Sequence, residues 1–259
     1  RFIGCVDQDG QGHDYGFTFL NLDAIWYGIA DEENSRAIVD WLSGKRIVAG
    51  DTSTDADIYH WRFGPRATTQ RNVKWYGFTW TGPETIPWGG QVQDGGAVLG
   101  FSFYDMYARL QAKDAESAWG RLVEILRWEK EVWSEGGYRA YYEGGKKGTT
   151  LQGGGTAGGV GIDAEFFESS LVPSIVVYGF LGMEPDEGRL RIMPKLPDSC
   201  PQMGVSNILY HNVRLDVKAS KEELIVRMAD KPLEPVCIEL EEFRQLAGSQ
   251  QRGPVFTLA

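Results

Sequence analysis

The sequence predicts a mainly α chain that ends in a small antiparallel β-domain. Helical segments alternate between apolar on nearly all sides and apolar along one stripe, and near Pro185 the pattern switches to short alternating runs. Two long loops divide the helical part into repeats of buried helix, exposed helix and loop. An inner and an outer ring of antiparallel helices satisfy that order over residues 1–186, with a small antiparallel sheet or sandwich over 187–259.

The first expected helix spans Phe17–Ala30, where Phe17, Leu20, Ala24 and Tyr27 share a face that Phe19, Leu22, Ile25 and Trp26 widen. Glu32–Leu42 follows as an amphipathic helix, with Ala37, Ile38, Trp41 and Leu42 in a narrow stripe and Gly44 as its stop. Lys45–Gly90 is a long loop with eight aromatics, and loops of that length are usually functional. Gln91–Leu110 is expected to be a second buried helix and Ala115–Trp133 a second amphipathic one. After the glycine-rich loop Gly136–Gly161, a third buried helix runs over Asp163–Leu181, kinked at Pro173. The segments LRIMPKLP, SNILYHNVRLDVKAS, ELIVRMAD and PVCIELEEF then read as strands.

Composition narrows the function classes. The 259 residues are 42% hydrophobic, which excludes a disordered chain. A net charge of −10 lacks the electrostatic footprint of a nucleic-acid binder. No uncharged apolar stretch is long enough for a membrane span, so a soluble protein is expected, with its compartment left open. Cys5, Cys200 and Cys237 form neither a disulfide framework nor a metal-ligand spacing. The chain opens on Arg1 rather than Met, which raises the expectation of a partial chain.

In a ring of helix pairs, the segments that precede each inner helix converge on one end. Here they are DQDGQGHDYGF (7–17), WGGQVQDGG (88–96) and GGVGIDAEFFE (159–168), carrying Asp14, Asp94, and Asp163 with Glu165. Each carboxylate alone is explained by helix capping. Together, across an aromatic-lined cavity, paired carboxylates are what glycosidic hydrolysis needs, one protonating the leaving oxygen and one activating water. Trp61, Trp80 and Trp88 would stack on sugar rings, and His60 or Arg62 would bond hydroxyls, although packing beneath a long loop explains each Trp equally well. Asp14, Asp51, Asp57, Arg66 and Gln91 complete the candidate substrate contacts.

The paired helices, WGGQVQDGGAVLGFSFYD (88–105) and EFFESSLVPSIVVYGFLGMEPDEGRLRIMPKLP (165–197) together resemble the six-hairpin glycosidases. These (α/α)6-barrel enzymes include α-L-rhamnosidases, trehalases, glucosidases and related disaccharide phosphorylases. The resemblance implies the C-terminal part of an (α/α)6 toroid followed by a small antiparallel β-domain, and inverting chemistry. It implies Asp94 as general base, in the rhamnosidase-like manner, with Asp163 or Glu165 as the trehalase-like alternative. The family's general acid precedes the third inner helix, and no residue here matches it. The implied partners are a glycoside or oligosaccharide and either a missing N-terminal barrel half or another copy of the chain.

Three further readings stay open. A phosphorylase would need a phosphate site, for which His60, Arg62 and Arg66 are available. A non-catalytic carbohydrate-binding or interaction module would need no acid at all. No cofactor is required by either chemistry, but Asp7, Asp9 and Asp14 have partial calcium-loop spacing, with Thr18 where a bidentate Glu would close the loop. The LQGGGTAGG stretch is no phosphate loop, because no GK[ST] follows it.

Overall fold

A computed structural model describes residues 1–60, 62, 64–72, 88–89, 94–137, 140–141, 170–228, 236–240 and 255–258. The chain forms two compact units, Arg1–Val172 and Pro173–Ala259. The expected division was at 186/187.

The first unit opens with a ribbon of β1 (Cys5–Val6) and β2 (Gly12–His13), then α1 (Thr18–Trp26) and α2 (Glu32–Leu42). α1 stops four residues earlier than expected. Gly28 adopts φ +68°, and the N–H groups of Ile29 and Ala30 both return to the Ala24 carbonyl, which closes the helix end. α2 matches its expected bounds because its signals are local: Asp31 accepts from the Asn34 N–H, Glu32 and Glu33 occupy the first turn, and Gly44 at φ +74° follows the end. Leu22 and Ile25 of α1 pack with Ile38, Val39, Trp41 and Leu42 of α2 and with Ile58 in one core. Each such side chain contributes roughly 1.5–3 kcal/mol by leaving water.

A short ribbon of β3 (Tyr59–His60) and β4 (Gly64–Pro65) precedes α3 (Phe101–Gln111) and α4 (Ala115–Ser134). α3 begins ten residues later than the expected Gln91. Residues 95–97 ahead of it are held by tertiary bonds: Ala97 bridges Arg66, and the Gly96 carbonyl accepts from the Ala67 N–H. α3 carries the buried ion pair Asp105–Arg109, one helical turn apart, and Tyr59 donates to Asp105 at 2.6 Å. Burial and then the Asp105 charge push the Tyr59 hydroxyl well above its ordinary range. Asp114 caps α4, which buries Ala118, Leu122, Ile125, Trp128 and Val132.

A helical turn, Leu171–Ser174, spans the boundary at Val172/Pro173 and passes into a π-helix, Ile175–Phe180, where the Leu181 N–H reaches back five residues to Val176. β5 (Met183–Asp186) and β6 (Arg189–Ile192) form a hairpin whose two loop residues, Glu187 and Gly188, both have positive φ. β7 (Gln202–Tyr210), β8 (Val213–Ser220) and β9 (Leu224–Met228) make a three-stranded antiparallel sheet. β8 shows the alternation that the sequence displays, with Val213, Leu215, Val217 and Ala219 inside. β10 (Val236–Leu240) then returns beside β6, and β11 (Val255–Leu258) pairs with β10.

Two fold expectations are corrected. The chain is not mainly α and is not the end of an (α/α)6 toroid: helices of the first unit share the described residues with two short ribbons and two larger sheets. Periodicity overstates the helices because glycine-rich apolar text, such as 95–97, suits a helix by composition although tertiary hydrogen bonds tie it to residues 66–68 instead. Nor is the β-part purely antiparallel. β6 and β10 pair in parallel, Leu190 opposite Ile238, because the three-stranded sheet intervenes and returns the chain in the same direction.

Candidate functional site

Residues 66–72, RATTQRN, cross the first unit as a bent segment, bridged to Phe17 through Thr68 and to Ala97 through Arg66. Thr68 and Thr69, both fully buried, serve two different polar clusters: Thr68 accepts from the Gly95 N–H at 3.0 Å and Thr69 from Arg1.

On the Thr69 side lies Arg1. Its guanidinium forms a two-pronged pair with Asp51, at 2.7 and 2.8 Å, and bonds Asp14 at 2.9 Å and the Thr69 hydroxyl at 3.3 Å. The Trp41 indole N–H and the Gln70 amide donate to the same Asp51 carboxylate at 2.9 and 3.0 Å, and the Trp41 ring lies 4.4 Å from the guanidinium carbon. Burial opposes ionisation of Asp51, but hydrogen bonds from Arg1, Gln70 and Trp41 outweigh it and hold its carboxyl below the ordinary range. Asp14 and Asp51, expected as substrate contacts, are thus brought together around Arg1.

On the Thr68 side lie Asp57, Arg66 and Trp88, with Asp94 next to Gly95 in the chain. The Trp88 indole donates to Ser53 Oγ at 3.0 Å, and Ser53 donates to Asp57 at 2.6 Å. Arg66 bonds the Asp57 carbonyl at 2.7 Å, its carboxylate at 3.2 Å and the Gly95 carbonyl at 2.7 Å. Gly95, at φ +82°, lies so close to the Trp88 ring that a Cβ would come within 2.5 Å of it, so only glycine fits there. Asp94 is fully buried: one oxygen accepts from the Asn72 N–H at 2.7 Å and the other faces Arg71 at 2.8 Å, with Arg71 35% exposed.

Other expected residues fall elsewhere. Arg62 pairs with Glu131 of α4, which also accepts from Tyr141 at 2.9 Å. Burial and that hydrogen bond push the Tyr141 hydroxyl up to about 12. His60 contributes backbone pairing in β3. Trp61, Trp80, Gln91, Asp163 and Glu165 lie outside the described residues. In the β1–β2 ribbon, Asp7 accepts from the Asp9 and Gln11 N–H groups and meets His13 at 3.0 Å, while Asp14 is engaged with Arg1 and the Gly16 N–H. No group of three metal-ligating side chains is found among the described residues.

Sequence reasoning did not single out Arg1, Ser53, Thr68, Gln70, Arg71 or Asn72. The available signal was RATTQRN itself, a polar run free of glycine and proline inside a loop rich in both.

Residues 183–241, from β5 to just past β10, match the family model of the Glycosyl hydrolase family 65, C-terminal domain. That domain is a β-sandwich in a family of glycoside hydrolases and phosphorylases, so the C-terminal portion of the chain is glycosidase-related. No curated protein matches the chain. Among the described residues, no helix is long and apolar enough to cross a membrane.

Proposed function

We propose that the chain acts on glycosidic bonds as a hydrolase, and that the cluster of Asp57, Arg66, Trp88 and Asp94 takes part in that chemistry. The match of residues 183–241 to a glycoside hydrolase family's C-terminal domain carries this reading. Hydrolysis is favoured over phosphorolysis because two of the three groups available for phosphate are committed to carboxylates, Arg62 to Glu131 and Arg66 to Asp57.

Asp94 is the general base in this reading. The Asn72 N–H orients one oxygen, and Arg71, the more exposed partner, covers the other, so a water reaches the carboxylate when Arg71 swings toward solvent. Trp88, wedged against Gly95, offers a ring for a sugar face, and Asp57 is exposed enough to accept its hydroxyls.

The test is turnover of a disaccharide and aryl-glycoside panel with and without inorganic phosphate. Phosphate-independent release of the sugar is expected, and Asp94→Asn should lower kcat by about 10²–10⁴-fold with KM little changed. Full activity in Asp94→Asn overturns the base assignment. Strict dependence on phosphate makes the chain a phosphorylase, and sugar binding without turnover makes it a binding module.

A further inference from the structure

Ser53 is fully buried beside Asp57, and the chemistry proposed above gives its hydroxyl no part. Its backbone is fixed first. The Ser53 N–H donates to the Thr69 carbonyl at 3.1 Å, and the Thr52 N–H donates to the same oxygen at 2.8 Å. The hydroxyl then stands between two partners, the Trp88 indole at 3.0 Å and an Asp57 carboxylate oxygen at 2.6 Å. An indole N–H can only donate, and an ionised carboxylate can only accept. The Ser53 oxygen therefore takes the indole proton while its own proton points at Asp57. The hydroxyl has one setting that satisfies both neighbours.

This relay joins a ring to an acceptor that faces solvent. The Asp57 side chain is 57% exposed, and its other carboxylate oxygen takes Arg66 at 3.2 Å. Trp88 is half-buried, with Gly95 pressed against its six-membered ring. Contact with Gly95 limits how closely the ring approaches the backbone but has no preferred rotation. The hydrogen bond from the indole N–H is directional, so it sets the rotation of the ring in its own plane.

We infer that Ser53 is a positioning residue, holding the Trp88 ring and the Asp57 carboxylate at a fixed mutual setting for one sugar. A pyranose laid on Trp88 then brings a hydroxyl to Asp57 without further adjustment. The inference deepens the glycosidic reading above and rests on it. Without the Ser53 hydroxyl, the indole loses its acceptor and the ring loses the bond that orients it. The loss weakens ground-state and transition-state binding alike, so it falls on KM rather than on kcat.

The test is kinetics of the full chain on the glycoside of the panel that wild type turns over best. Ser53→Ala should raise KM about three- to tenfold, with kcat within twofold of wild type. Trp88→Phe removes the donor, so adding Ser53→Ala to it should raise KM no further. In proton–nitrogen NMR spectra, the indole peak that Trp88→Phe deletes should move upfield in Ser53→Ala. The exposed change Asp57→Asn weakens the acceptor at the far end and should move the same peak, which keeps the test open if Ser53→Ala does not fold. An unchanged KM in Ser53→Ala overturns the role, as does an equal rise in the Trp88→Phe background, the mark of general loosening. A peak that stays in place in both variants overturns the relay itself. If wild type turns over a glycoside while any of these results appears, only the positioning role fails. If wild type neither binds nor turns over any glycoside of the panel, the carbohydrate reading fails and the role falls with it.

Discussion

Asp51 and Arg1 show how far one residue's role depends on its neighbours. Asp51 has a side-chain exposure of 1%, and both its oxygens are occupied by Arg1, Trp41 and Gln70. Removing one partner of a buried pair strands the other, so Asp51→Ala should cost about 3–5 kcal/mol in urea unfolding at pH 7. The pH dependence follows from the depressed Asp51 carboxyl. Its contribution is complete above the unfolded aspartate value of about 4 and is lost as pH falls through the lower folded value. Wild type and Asp51→Ala should therefore converge in stability only as pH falls into that acid window, and a gap that does not narrow at all below about pH 4 would show the loss to be packing rather than charge. Nothing in the local sequence marks Arg1 as the partner, because fifty positions separate the two.

At the scale of elements, ends are set by glycines whose demands are partly local and partly not. Gly44 and Gly28 terminate helices through positive φ, a preference visible in the text. Gly182 is different: it has φ +58°, and a Cβ there would come within 2.1 Å of the Met193 carbonyl oxygen across the β5–β6 hairpin. Gly182→Ala combines left-handed strain with a backbone clash and should lower stability by at least about 2 kcal/mol, read as a shift in the urea midpoint. An unchanged midpoint would mean that the hairpin entry relaxes freely. α2 and α4 were legible because cap, apolar stripe and stop sit within one short stretch. The start of α3 was not, since Gly95, Gly96 and Ala97 are apolar and small enough for helix but are held by Thr68, Ala67 and Arg66.

The whole molecule is acidic, and this governs its long-range behaviour whatever its fold. At pH 7 and about 0.1 M salt it should be retained on an anion exchanger and pass through a heparin column, since a polyanion finds no counter-charge. Heparin retention would reveal a basic face that the net charge hides. The same distinction separates what the sequence by itself determined from what only the tertiary structure decided. Charge, the amphipathic helices α2 and α4, and the alternation of β8 follow from residues near one another in the chain, and they stand as read. The parallel pairing of β6 with β10, the bent path of residues 66–72, the gathering of Asp57, Arg66 and Trp88, and the seating of Asp94 against Asn72 and Arg71 each depend on contacts between distant segments. Such contacts form where burial and hydrogen-bond satisfaction over the whole fold outweigh local preference, and short-range periodicity carries no record of that balance.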